Sequence, residues 1–397
     1  MNYVSLFSSA GVGCFAFKQV GFEGIASSEL IEKRLNVQKV NKKLKYDEGY
    51  ILGDISKESV KKKLFNAIES YKKKENVSDV DVVIFTPPCQ GMSVANHKKN
   101  DGTIMKNSLV VEALEIVKVI KPKFFISENV RAFMNTKCID HSDEKKIRDA
   151  FNDWLSDDYI WESQIINFKD YGANSSRTRT LAIGVRRDLS FKITPSQLFP
   201  SKEKEKTLKD VIGHLKKLNK MGEITPDDIY HNFKAYRKDM RNWICDIGEG
   251  ESAFDNKDIE KRPHRIINGE IHPNVRKNGS KYTRQYWKKV GHCIHTRNDI
   301  LSSQNTIHPE DDRVFSIREL MLMMNIPKDF KWVEEDEDYL NKMSEEDKKK
   351  FLKKNEINIR QCIGEGVPTV IVEKIAKNIR DVLNNKKVTG ERQLVLI

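Results

Sequence analysis

Up to residue 190 the chain alternates short apolar runs with amphipathic stretches. YVSLF (3–7), IASSEL (25–30), YIL (50–52), VDVVIF (80–85), FFIS (124–127) and the segments 164–168 and 180–185 read as strands. Between them, Gly13 to Val20 fits a short helix with Cys14, Phe17 and Val20 on one side. Residues 57–74 place Val60, Leu64, Ile68 and Tyr71 at helical spacing, and 109–120 form a helix stopped by Pro122. This βαβα order predicts an open, largely parallel sheet covered by helices, an α/β fold.

Beyond residue 190 the pattern changes. Residues 195–300 are polar, irregular and basic, with segments such as KRPHR and NVRKNGSKYTRQYWKK that mix cations with aromatics. They predict a second, smaller domain with a nucleic-acid surface. Helical character returns at 314–326. Residues 333–358 are so charged that they read as a solvated helical insertion without chemistry. Val367 to Leu383 closes the pattern as an amphipathic helix, with Pro368 near its first turn and Ile371, Ile375, Ile379 and Leu383 on one face. The expected division is 1–190, 191–330, an insertion at 331–358, and a segment 359–397 returning to the first domain.

Composition narrows the class. The 397 residues carry a formal net charge of +12, which suits a polyanionic partner. No apolar run approaches a membrane span, and MNYVSLFSSAGVG has no basic region ahead of an apolar one. A soluble, cytoplasmic protein with no membrane partner is expected. The six cysteines, Cys14, Cys89, Cys138, Cys245, Cys293 and Cys362, form no C-x-x-C pair. That argues against a zinc ribbon or a disulfide framework, so no metal is expected, and each cysteine is read as a single thiol.

The strand ends carry the candidate chemistry. SLFSSAGVG (5–13) is a strand, a small-residue turn and a helix start, which lets a ligand approach the backbone closely. Glu29 ends the next strand, where a carboxylate can accept from both ribose hydroxyls, and Asp54 in Gly53-Asp54-Ile55 can accept from an adenine amine. GVGCFA (11–16) also fits a loose dinucleotide-binding pattern, so an NAD-dependent oxidoreductase stays in view. In FTPPCQGMS (85–93), Pro87 and Pro88 stiffen the backbone before Cys89, which is posed as a nucleophile; the polar stretch SVANHKKNDG (93–102) reads as a loop able to close over a polyanion. FFISENV sets Glu128 and Asn129 at the neighbouring strand end. SSRTRT (175–180) puts Arg177 and Arg179 two apart on a predicted strand, hence on one face.

In order and spacing these blocks resemble the DNA (cytosine-5)-methyltransferases of prokaryotic restriction-modification systems: FSSAGVG, Glu29, GDI, PPCQGMS, ENV, R-T-R and GEGVP near the C-terminal end. HPEDDRVFSIRELMLMMNIPKDF (308–330) is similar to the block that supports the family's recognition domain. The resemblance spans nearly the whole chain, with 190–290 as its variable part. It implies a Rossmann-like S-adenosylmethionine-dependent methyltransferase sheet with a smaller, irregular target-recognition domain. It also implies methyl transfer from S-adenosylmethionine to C5 of a flipped-out cytosine through a covalent Cys89–C6 adduct.

By the same resemblance Glu128 would hydrogen-bond the base at N3, and Arg179 with Arg177 would hold its carbonyl side. Phe7, Ser9, Gly11, Glu29, Leu30, Asp54, Ile55, Pro88, Leu109, Glu365 and Val367 would line the cofactor site. Gln90, Ser93, Arg276, Lys281 and Arg284 are expected to contact DNA. Double-stranded DNA is the implied partner, a cognate restriction endonuclease on a separate chain is a further one, and a monomer is expected. Some positions depart from the family pattern: Ser5, Ser9, Val12, Asn174, Ser175 and Glu365 stand where an acid, glycine, glycine, proline, glutamine and asparagine are usual. The alternatives are a tRNA cytosine-5 methyltransferase and a non-catalytic DNA-binding relative, besides the oxidoreductase. The sequence names neither the DNA site nor the cytosine within it.

Overall fold

Seven segments line up in one sheet in the computed structural model, which describes residues 1–88, 107–190, 192–275 and 279–386. The strands are β1 (Asn2–Leu6), β2 (Glu23–Glu29), β3 (Tyr50–Leu52), β4 (Val82–Phe85), β5 (Phe124–Val130), β6 (Tyr159–Asn167) and β7 (Thr178–Arg186). They are ordered β3-β2-β1-β4-β5-β7-β6. The first five run parallel, and β7 is antiparallel to both its neighbours. β1 and β4 are buried along their whole length, as an interior strand covered on both faces must be. The sheet is the expected mixed α/β one, and most of its strands lie within a residue or two of their predicted spans. β6 starts five residues before its apolar stretch, because its burial is only partial.

The helices of this unit are α1 (Phe15–Val20), α2 (Glu32–Val40), α3 (Glu58–Glu75), α4 (Leu109–Ile120) and α5 (Ile147–Leu155). α1 is shorter than its predicted span. Gly21, at φ 94°, ends it in the left-handed cap that glycine adopts without strain. The apolar pattern does not reveal α2, because its inner face mixes Arg34 and Gln38 with Leu35 and Val37 and blurs the period.

The described chain divides into two compact units. One comprises 1–171, 178–203 and the segment from Val367; the other comprises 172–177 and 204–366. The boundaries differ from the expected ones. The charged stretch 333–358 is no appendage but part of the second unit, where α8 (Ile317–Met323), α9 (Glu337–Lys342) and α10 (Glu345–Glu365) come after the short helices α6 (Leu208–Ile212) and α7 (Lys238–Asn242). α10 keeps a solvated side, with Lys350 2.8 Å from Glu346, and buries Leu352, Ile359, Cys362 and Ile363 on the other. The second unit is otherwise short hairpins and loops around Trp243, Ile244, Tyr282, Leu301, Ile307 and Val314.

Residues after Val367 return to the sheet unit as α11 (Thr369–Leu383), burying Ile371, Val372, Ile375, Ala376 and Ile379. Its start meets the turn after β1: Thr369 Oγ1 donates to Val12 O at 3.3 Å. A β-carbon on Gly13 would lie 3.1 Å from Val367 Cβ, so a side chain there would require Val367 to shift by a few tenths of an ångström.

Candidate active site

The sheet's chain order reverses between β1 and β4, and that is where an open α/β sheet has its crevice. Leu6 pairs with Phe85, so the two strands end side by side. Thr86 ties their exits together, its N–H donating to Leu6 O at 3.2 Å and its hydroxyl to Phe7 O at 2.9 Å.

After β1 the backbone winds tightly. Phe7, Ser9 and Gly11 have φ of 58°, 48° and 76°. A left-handed conformation is costly for Phe and Ser, so the surrounding bonds must hold it. Phe7 N donates to Ser28 O at 3.1 Å, Gly11 N to Ser8 O at 2.8 Å, and Phe15 N to Gly11 O at 2.9 Å. One strand over, Glu29 is buried at the end of β2, with Oε1 accepting from Ile31 N at 3.0 Å. Leu30 beside it is 65% exposed, an apolar surface at the mouth of the crevice. Gly53 N donates to Glu29 O at 3.0 Å, which draws the end of β3 to that of β2. Asp54 there accepts from Ser56 N at 3.0 Å, and Ile55 is buried in the core. Leu109 opens α4 and packs on the same core. Val367 packs on Gly13. Glu365 is exposed and ends α10, in the second unit.

On the other side of β4, Glu128 and Arg179 meet. Val130 pairs with Arg179 across β5 and β7, and Glu128 lies two residues before Val130, so both side chains leave on one face. Arg179 Nε sits 3.3 Å from Glu128 Oε1. That oxygen is shielded from solvent and receives no aligned hydrogen bond, which leaves an acceptor site open. Asn129 faces the other way and donates from Nδ2 to Pro87 O at 2.8 Å. It thereby fixes the backbone two residues ahead of Cys89. Sequence reasoning places Asn129 at a strand end without giving it this role. Pro88 is the last residue described there; Cys89, Gln90, Ser93 and Arg276 lie outside the described residues.

Two expected arginines are placed differently. Arg177 precedes β7, so the two-residue parity with Arg179 does not apply; it belongs to the second unit. It is buried, and its Nη1 donates to Ile294 O at 3.2 Å and Gly364 O at 3.3 Å. Arg284 is also buried rather than presented to DNA. Its guanidinium donates to the carbonyls of Ile244, Ile247, His308 and Asp311 and to Asp312 Oδ1 at 2.7 Å. It acts as a core staple among loops that cannot satisfy their own carbonyls. Lys281 is half-buried in the same unit. Among the described residues no helix is long and apolar enough to cross a membrane.

The C-5 cytosine-specific DNA methylase model matches residues 1–381. The chain belongs to that family. It is similar to type II methyltransferase M1.HgaI of Avibacterium volantium, 28% identical over 388 residues, covering 95% of this chain and 97% of the relative. It is also similar to M1.HphI of Haemophilus parahaemolyticus, 26% identical with 97% and 88% covered. Among solved structures, a putative DNA modification methyltransferase encoded within an E. coli prophage superposes with a TM-score of 0.64 at 19% identity, covering 97% of this chain and 99% of that one. A Spodoptera frugiperda DNMT2 mutant gives 0.55 at 14% identity, covering 96% and 99%; at such identities both speak for the fold alone. The protein is thus a DNA cytosine-5 methyltransferase, and the oxidoreductase pattern at GVGCFA is the tight turn of a methylase.

Proposed function

We propose that this methylase modifies C5 of one cytosine in a short duplex DNA site, with Cys89 as nucleophile. The observation that carries the reading is the paired end of β4 and β5: Asn129 holds Pro87, and Glu128 with Arg179 stands beside it. Cys89 attacks C6 as a thiolate, forming a C–S bond and making C5 a carbon nucleophile. Glu128 hydrogen-bonds N3 and the exocyclic amine and supplies to N3 the proton that offsets the negative charge attack builds on the ring. Arg179 orients Glu128. After methyl transfer a base takes the C5 proton and the C–S bond breaks, returning Cys89. The reacting edge is inaccessible in a duplex, so the cytosine is flipped out, and Gln90 and Ser93 contact the DNA beside it.

S-adenosylmethionine supplies an electrophilic methyl group when bound. The residues present fit it: the left-handed turn at Ser9 to Gly11 for its carboxylate end, Glu29 for the ribose, Asp54 for the adenine amine, and the exposed Leu30 for the ring's face. Ser9, Ile55, Pro88, Leu109 and Val367 complete that set. Phe7 sits at its base. Residues of the second unit, Lys281 among them, read the DNA site. The type II names of the relatives support a modification role beside a restriction endonuclease.

Bisulfite sequencing of DNA from a methylation-free bacterial host expressing the chain, beside one expressing Cys89→Ala, tests this. Protected cytosines within one recurring motif, absent with the variant, are expected. Equal protection with both would overturn the nucleophile. No protection with soluble wild-type protein would move the substrate to RNA.

A further inference from the structure

The turn after β1 stands on a buried lysine. Lys43 comes after α2 and is 5% exposed. Its ammonium donates to Ser5 Oγ at 2.6 Å, Ser8 Oγ at 2.8 Å, Gln38 Oε1 at 3.0 Å and Ser27 Oγ at 3.2 Å. Gln38 passes the contact on, donating from Nε2 to Ser9 O at 2.5 Å. A β-carbon on Gly11 would lie 3.6 Å from Lys43 Nζ, so the ammonium lies against the turn itself.

The four acceptors are neutral. They solvate the ammonium without cancelling its charge, and an uncompensated buried cation is expensive. The titratable groups facing it are Cys14 and Glu29. Burial pushes the Cys14 thiol up, so it stays neutral near pH 7, and the Glu29 carboxylate favours the charged ammonium electrostatically. If the turn's work were to hold a shape, neutral side chains would suffice. A cation beneath it suits an anion above it. In the cofactor reading above, on which this inference rests, the carboxylate end of S-adenosylmethionine belongs at Ser9 to Gly11.

We propose that Lys43 is a positioning residue whose positive charge holds the cofactor's carboxylate on the Ser9–Gly11 turn. It acts through the turn, with Ser8 and Gln38 as its intermediaries. Burial also lowers the pKa of Lys43 from the ordinary lysine value. In the free protein the charge is therefore lost at lower pH than usual, and affinity for a carboxylate falls as pH rises through that point.

Titration calorimetry on the full chain tests it, with S-adenosylhomocysteine and its decarboxylated analogue, which keeps the amine. The wild type is expected to prefer the carboxylated ligand by about tenfold or more. Lys43→Met is expected to lose that preference and bind the analogue as before. Equal loss on both ligands would mean that Lys43 only props the turn, and an unchanged preference would mean that its charge is idle; either overturns the proposal. Should that variant not fold, Lys43→Gln takes its place, and the same loss of preference is required. Failure of both ligands to bind wild-type protein would instead remove the cofactor reading, and this inference with it.

Discussion

At the scale of single residues, the candidate site rests on side chains whose partners are backbone atoms as often as other side chains. Asn129 serves Pro87 O, Thr86 serves Phe7 O, and Gln38 serves Ser9 O. Each fixes the exit of a strand and so the direction in which the chain leaves it. Glu128 is different, because its Oε1 is buried with its hydrogen-bonding capacity unspent. In the mechanism proposed above, Glu128→Gln keeps the shape but cannot pass N3 the proton that offsets attack on the ring. It is expected to lower kcat by about 10²–10⁴-fold while leaving S-adenosylhomocysteine affinity within a factor of about two. Single-turnover methylation and calorimetry on the same preparation check this; a comparable loss in both would make Glu128 a structural residue.

Among the elements, β5 and β7 are matched to each other by size. Gly184 pairs with Phe125, and a β-carbon on it would lie 1.9 Å from the Phe125 ring. Gly184→Ala must displace that ring into a packed core and is expected to cost about 1–3 kcal/mol, read as a lower urea midpoint at unchanged slope. A midpoint equal to wild type would mean that the ring has room to move. The same strands mark the limit of what sequence shows. VVIF and FFIS are legible because strands buried on both faces are mostly apolar. The hairpin Lys137–Asp140 with Asp143–Lys146 is not, since its outer strand is wholly polar and its register comes from pairing alone. Arg177 departs from expectation because the strand starts one residue after it, and Arg284 for a different reason. A basic residue in a basic segment reads as surface, and only tertiary structure reveals loop carbonyls that need a buried donor. The strand-end residues Glu29, Asp54 and Glu128 are visible because strand ends are read directly from where an apolar run stops.

At the scale of the molecule, the second unit owes its order to a polar core as well as an apolar one. Ser316 N donates to Glu319 Oε2 at 2.7 Å, closing a capping box at α8, and Arg313 grips Glu319 through two bonds of 2.7 Å. Beside them His308 is buried and accepts from Asp311 N at 2.9 Å and Glu310 N at 3.2 Å through Nδ1. That nitrogen cannot carry a proton without facing two donors. Burial, with Arg313 and Arg284 nearby, lowers its pKa to about 4, although Glu319 and Asp311 pull the other way. The unfolded chain protonates His308 near its ordinary value of about 6.5, so between the two values the unfolded state binds more protons. Stability is therefore full above about pH 6.5 and falls as pH drops toward 4, by roughly 3 kcal/mol. Urea melts at about pH 7 and about pH 5 check the direction, and His308→Gln is expected to shrink the difference between them. An unchanged difference would place the effect elsewhere.

The contact between α11 and the turn after β1 has a consequence for how the protein is made. The turn is translated more than three hundred residues before its lid at Val367 and Thr369. Until then Val12 and Gly13 face water, and a nascent chain can fold its sheet strands without completing the pocket. The ribosome thus imposes a delay between synthesis and competence. The turn gains its cover only after the whole second unit has been built.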